Sequence, residues 1–335
     1  MGLIDFRPLL RVVVNGVPLS SLAFSQVTSV QVTDVAGFVS DMADIQFANV
    51  SALSRFDMPE PGAEIEIALG YLGQFKSMGL YIADEVEESN PPRKILVTAR
   101  AKAQGETTNG LSPIHQQKTR SWPTGMTLAA LVQTIATENN LKAGVTEAVA
   151  SLVLQHIDQI DESDISVLTR IAILHDLVAK PAGGILFVGR KGDAQKASGE
   201  PTPNISLLEK QVTSWTMRRS QGEVAGTVVA TYRDLSAKED REIRVGDKEP
   251  VRRLRQRFRS EAEARAVAET EARRASRAKE TMELEMPGNP SIVAEGKIRP
   301  IDFSSAAVGE WLVTSVTHSL SEAGYSTSVR TERPG

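Results

Sequence analysis

Hydrophobic and polar residues alternate along the first hundred positions in the manner of half-buried β-strands. Ala63–Leu69 alternates charged with apolar side chains, and Leu80–Val86 and Lys94–Ala101 follow the same two-residue period. Leu10–Val14 leads directly into Asn15-Gly16, a pair that tolerates the positive φ angles of a tight hairpin turn. The pattern predicts an antiparallel β unit over residues 1–105.

The next hundred residues change to a helical period. Thr127 can cap a helix with one apolar stripe, which ends near Asn139-Asn140. Ser163 or Asp164 can cap a second helix, which we expect to run past Val178 and stop at Pro181 and Gly183-Gly184. The short apolar run Ile185–Val188 then reads as a strand. These elements predict a small α/β unit over residues 106–204, which ends in an exposed loop, Lys191–Asn204.

Strand patterns return in the last part of the chain, interrupted by one charged helix. Ser260 with Glu263 forms a capping box for that helix, predicted over residues 260–279. The predicted strands are Val212–Met217, Thr227–Tyr232, Thr281–Met286, Lys297–Ile301, Trp311–His318 and Tyr325–Thr331. The sequence therefore predicts an α+β, mainly β fold. Two antiparallel barrel-like domains, 1–105 and 205–335, flank the α/β region, and the second carries a helical insertion.

Composition narrows the classes of function. The 335 residues are 41% hydrophobic and 24% charged, and 38 basic against 42 acidic side chains leave a net charge of −4. This balance gives no global attraction to nucleic acid or to anionic lipid. Cysteine is absent, which excludes disulfides and thiolate chemistry. No apolar run is long enough for a membrane span or a signal peptide, so we expect synthesis and folding in the cytoplasm and no membrane partner.

Candidate catalytic or metal-binding residues do not form a motif. The four histidines, His115, His156, His175 and His318, are far apart and lack ligand spacing. The acidic residues at 158–164 suit the start of a helix better than a calcium loop. We therefore predict no catalytic residue, no cofactor and no metal site, and we expect His318 to serve as a hydrogen-bonding structural group. A pair of carboxylates that meet only in the fold stays an open alternative.

The strongest local charge feature is the segment 251–259. If it is a strand, one face carries four arginines while Leu254 and Phe258 point to the other side. The arginines are Arg253, Arg255, Arg257 and Arg259. Three interpretations remain open for this face: a solvated edge strand, a contact with an acidic surface of another subunit, and contact with nucleic acid in a channel.

Three ordered segments together resemble one known family. The first is Lys118-Thr-Arg-Ser-Trp122, followed by the helix of Leu128 and Ile135. The second is Asp161-Glu-Ser-Asp164, which leads into Val167-Leu-Thr-Arg-Ile-Ala172. The third is Gly309-Glu-Trp-Leu-Val313 with the following residues through Thr327. In this order and spacing they resemble the late control protein D family, the baseplate hub of contractile phage tails and R-type pyocins, which is related to the hub region of type VI secretion spike proteins.

The resemblance implies a structural protein of a virion or tail-like particle. It implies a homotrimer in which two barrels from each of three subunits form a ring of six similar units, placed between a sixfold tail tube and a trimeric spike. The implied partners are tube, spike, wedge and tape measure proteins, with nucleic acid at most passing through the lumen. Two alternatives are a tail-tip cell-wall hydrolase and a nucleic-acid-binding tail or channel protein.

Overall fold

The computed structural model describes residues 7–37, 41–48, 59–102, 113–182, 184–191, 203–220, 226–277 and 279–334. Antiparallel strands dominate, as predicted for an α+β, mainly β chain. The first part contains β1 Leu9–Val14, β2 Val17–Pro18, α1 Ser21–Ser25, β3 Val27–Val35, β4 Met42–Ala48, β5 Glu64–Tyr71, β6 Gln74–Ser89 and β7 Lys94–Ala101.

The middle part mixes short strands with helices. It contains β8 Gln117–Trp122, α2 Leu128–Glu138, β9 Lys142–Val145, α3 Glu147–Ala150, β10 Ile157–Ser163, α4 Asp164–His175, β11 Leu177–Ala182 and β12 Ile185–Arg190.

The last part returns to strands around one long helix. It contains β13 Asn204–Leu207, β14 Ser214–Arg219, β15 Thr227–Asp234, β16 Glu239–Gly246, β17 Val251–Phe258, α5 Glu261–Arg277, β18 Glu280–Pro287, β19 Lys297–Pro300, β20 Trp311–Ser321 and β21 Gly324–Glu332.

Strands from both ends of the chain share one sheet. In the described residues it has 13 strands, and β3 pairs antiparallel with β20, so that His318 lies opposite Val32. The predicted hairpin at Asn15-Gly16 is present, with φ angles of 49° and 78°. One apolar core lies under β3 to β7 and another under β18 to β21, where Trp311 is fully buried. The two β units are therefore joined edge to edge by backbone hydrogen bonds.

Strand pairing among the described residues does not close either β unit into a barrel. Barrel closure therefore stays a prediction, as does the division of the chain at residues 105 and 204. The predicted loop Lys191–Asn204 lies outside the described residues except at its two ends. None of the described helices is long and apolar enough to cross a membrane.

The middle α/β unit has a core of its own, formed mainly by the apolar faces of α2 and α4. Thr127 caps α2 as predicted, since its hydroxyl accepts a hydrogen bond from the Ala130 amide at 3.2 Å. The predicted end of α4 is wrong. The helix stops at His175 because Asp176 adopts a left-handed conformation, with φ 57°. Pro181 lies in β11, which is an edge strand. The N–H group that proline lacks is not needed on the free side of this strand, where no neighbouring strand accepts a hydrogen bond.

The predicted helix of the insertion is present, but the inserted unit also contains strands. Helix α5 packs on a separate three-stranded sheet, ordered β16-β15-β17, with Tyr232 and Phe258 in their shared core. Ser260 caps the helix by accepting from the Glu263 amide at 3.2 Å, and the Glu263 carboxylate accepts from the Arg259 amide at 3.0 Å. The strand predicted at Thr227 therefore belongs to this inserted unit and not to the second β core.

Candidate assembly surfaces

The arginine segment forms β17, an edge strand of the inserted sheet. It pairs in parallel with β15 on one side, and a bulge lies between Arg253 and Arg257. Leu254 and Phe258 pack into the core beneath α5. Arg253 and Arg257 lie opposite Val229 and Thr231, on the face that is turned away from the helix. The segment is thus an exposed, strongly basic edge.

Several of these arginines already have carboxylate partners within the chain. On the outer face, Arg253 pairs with Glu242, and Arg257 pairs with Asp240 at 2.9 Å. Arg252, on the helix side, lies 3.4 Å from Glu271 of α5. Arg255 makes no ion pair with any described residue. No described carboxylate neutralises Arg255, so this part of the edge keeps a positive charge for a partner.

Two of the family-like segments meet in a buried ionic network. The Asp164 carboxylate, fully buried at the start of α4, accepts from Lys118 Nζ and from Arg120 Nη2, both at 2.6 Å. Arg120 also binds both oxygens of Glu138 at the end of α2, at 2.7 and 2.8 Å, and its guanidinium lies 4.2 Å from the ring centre of Trp122. The network therefore ties β8, α2 and α4 together.

The pKa of Asp164 reflects this arrangement. Burial alone would raise the pKa, but hydrogen bonds from Lys118, Gln159 and Asn139 and the charge of Arg120 hold it below its usual value. The carboxylate is therefore ionised and fully used in structural contacts. Sequence reasoning attributed the acidic residues at 158–164 to helix capping. It missed the cations at 118 and 120, whose place beside Asp164 depends on the pairing of β8 with β10.

A second ionic cluster lies where the middle unit meets the large sheet. Lys180 of β11 reaches Asp41 at 2.9 Å and Asp34 of β3 at 3.2 Å. Asp34 also accepts from the Ala294 amide at 2.8 Å, and the carboxylate of Glu295 adds to the negative charge around Lys180. Burial raises the pKa of Asp41 to about 6, although Lys180 opposes the shift. One lysine therefore links the middle unit to the end of β3 and the start of β4 in the large sheet.

The histidines do not converge. His318 is buried, with hydrogen bonds between its ring and Thr327, Tyr325 and the Ile292 carbonyl at 3.0 to 3.2 Å, which agrees with a structural role. Burial lowers the pKa of His318 and of His175. His156 pairs with Asp158 at the surface, at 2.9 Å. The part of the chain that the structure describes holds no cluster of three potential metal ligands.

Comparison with solved structures shows which fold the chain has. The chain resembles the 43 kDa tail protein of prophage MuSo2 from Shewanella oneidensis, with a TM-score of 0.71 at 15% identity, and 98% of each chain is covered. A tail protein from Neisseria meningitidis MC58 gives a TM-score of 0.70 at 13% identity, again over 98% of each chain. A type VI secretion component of E. coli gives 0.52, covering 92% of this chain and 74% of that one. The fold is that of phage tail proteins.

Two sequence relatives are similar to the chain. The chain is 25% identical to a probable baseplate hub protein of Escherichia phage 186, over 98% of this chain and 93% of the relative. It is 32% identical to a probable baseplate hub protein of Escherichia phage P2, over 53% of this chain and 44% of the relative. No protein-family model matches. The chain is similar to probable baseplate hub proteins of two phages, which confirms the resemblance found from the sequence.

Proposed function

We propose that the protein is the structural hub of a contractile-tail baseplate, where three copies form a ring between the tail tube and the central spike. The observation that carries the proposal is similarity to a probable baseplate hub protein across nearly the full length of both chains. The fold supports it, since the chain shares the architecture of phage tail proteins.

The internal arrangement suits a ring of six similar units. Each chain holds two β cores that lie side by side in one sheet through the pairing of β3 with β20. Three such chains supply six β cores, the number that a sixfold tube presents. A trimer also matches the symmetry of a trimeric spike. In a closed ring, all the interfaces between neighbouring copies stabilise the assembly together.

The proposed place of the protein is the baseplate of a virion or tail-like particle, assembled in the bacterial cytoplasm. Tube, spike, wedge and tape measure proteins are the proposed partners. The role needs no chemistry, so we propose that the protein is not an enzyme. The charged clusters at Asp164 and Lys180 are engaged in contacts within the chain, which supports a structural role for these groups.

Light scattering and co-purification test the proposal together. The purified protein is expected to be a trimer at micromolar concentration and to retain the tube and spike proteins of its own tail. A monomer that binds neither protein would contradict the proposal. Zymography on bacterial cell wall tests the hydrolase alternative, and a cleared band at the position of this chain would favour that alternative.

The nucleic-acid alternative rests on β17 and has its own test. Replacing Arg253, Arg255, Arg257 and Arg259 with glutamine removes the positive charge while keeping the side chains polar. If the strand binds DNA, the wild-type protein shifts DNA at low salt and the variant does not. We expect no shift with either protein.

A further inference from the structure

Strand β6 extends beyond one of its neighbours. Its first half, Gln74–Ile82, pairs with β5, and its second half, Tyr81–Ser89, pairs with β7. The backbone of Ala83 still bonds to Gly62 and Ala63. From Asp84 to Ser89, no described strand pairs with the side of β6 opposite to β7. Among the described residues this leaves an open sheet edge of six residues, 84–89, which we name the acidic edge.

The acidic edge carries a dense negative charge. Asp84 and Glu88 have cationic partners in the chain, Arg100 at 2.8 Å and Arg93. Glu85 and Glu87 are exposed and make no ion pair with a described residue. They lie opposite Thr98 and Leu96 of β7, while the intervening Val86 lies opposite the buried Val97. Both glutamates therefore project from the solvent-facing side of the sheet.

Strand β17 provides the complementary edge. Its only ladder partner among the described strands is β15, so the backbone groups on its other side are open, and we name this side the basic edge. It carries Arg253, Arg255 and Arg257, and Arg255 makes no ion pair with a described residue. An open strand edge is a template for pairing with another chain, and the charges on it decide which chain is accepted.

We infer that the basic edge of one copy pairs with the acidic edge of the next copy, adding a β-ladder across the subunit interface. This inference rests on the proposed homotrimer and specifies one contact within it. Oppositely charged residues that face each other across two strands attract, so Glu85 and Glu87 would lie beside Arg255 and Arg257. The two edges lie in different parts of the chain, 84–89 and 251–258.

Because the two edges differ, the contact is head to tail, which generates a ring when the rotation between copies closes. Self-pairing is disfavoured by the same charges. Two basic edges or two acidic edges would place like charges opposite each other, which opposes strand pairing. The charge pattern thus selects one orientation and prevents disordered edge-to-edge association.

Charge reversal tests the contact. Two double variants, Glu85→Lys with Glu87→Lys and Arg255→Glu with Arg257→Glu, each place like charges across the interface. We expect each to weaken trimer formation by about tenfold or more and to give a single-chain mass in light scattering at micromolar concentration. The quadruple variant exchanges the charges of both edges, and we expect the trimer to return.

A matched control reverses two exposed glutamates elsewhere, Glu147→Lys with Glu322→Lys, and is expected to remain trimeric. Thermal unfolding of every variant verifies that the chain is folded. Trimeric double variants, a quadruple variant that stays monomeric, or a monomeric control would each overturn the inference while leaving the hub proposal in place. A monomeric wild-type protein would contradict the proposed trimer itself, and this contact with it.

Discussion

Replacing Lys180 with methionine removes the lysine that pairs with Asp34 and Asp41 at the junction of the middle unit and the large sheet. The methionine keeps the apolar stem of the side chain but leaves both carboxylates without their cation. Breaking a fully buried ion pair costs about 3 to 5 kcal/mol. The three side chains retain exposures of 23%, 25% and 18%, so solvent screens part of the loss. We expect the free energy of unfolding to fall by about 2 to 3 kcal/mol.

The loss should depend on pH. Burial raises the pKa of Asp41 to about 6 from its ordinary value of 3.8, so the folded state binds this proton more tightly than the unfolded state does. The stability that comes from this proton is complete below pH 3.8 and is lost as the pH rises through about 6. Without Lys180 the charged form is less favourable still. The Lys180→Met variant is therefore expected to lose more stability at about pH 8 than at about pH 5.

Urea unfolding followed by tryptophan fluorescence measures the effect, because Trp122 lies in the middle unit and Trp311 in a β core. Lys297→Met is the control. Lys297 contacts Glu310 at the surface, at 3.3 Å, and its loss should cost less than about 1 kcal/mol. If Lys180→Met costs no more than the control, or costs the same at both pH values, the cluster does not join the two units as described.

Two further substitutions test the buried network and a tight backbone approach. Asp164→Ala leaves Lys118 and Arg120 beside a buried site without their carboxylate, and should cost about 3 kcal/mol in urea unfolding; a loss below about 1 kcal/mol would contradict a structural role for the network. Gly70→Ala places a Cβ 2.1 Å from the Gln74 carbonyl oxygen at a φ of 152°, and should lower stability by about 1 to 3 kcal/mol. Gly73→Ala is its control, since Gly73 also has a positive φ, 85°, but its Cβ would meet no atom within 4 Å; an equal loss in both would contradict the close approach.

Local pattern was sufficient to predict most elements. The alternation over Lys94–Ala101 predicts β7 to the residue, and Thr127 marks the start of α2 because a capping hydroxyl is a local signal. The end of α4 was placed too late, since Leu177 and Val178 continue an apolar pattern that fits a helix and a buried strand equally well. Only the left-handed conformation of Asp176 shows that the helix ends there and that the following residues form a strand.

Contacts between distant segments could not be predicted from the sequence. The pairing of β3 with β20 joins residues almost 300 positions apart, and nothing in either strand identifies the other. The ion pairs of Asp164 and Lys180 depend in the same way on how strands and helices pack. The arginines of β17 were found from the sequence because a strand with so many charges is conspicuous. The acidic edge was missed because its opening depends on where β5 ends beside β6.

The proposed trimeric hub, which would join a tail tube to a spike, is tested most directly by the mass of the complex that the purified protein forms with the spike protein of its own tail. We expect three hub chains bound to one spike trimer. A hub chain that stays monomeric and does not bind the spike would contradict it.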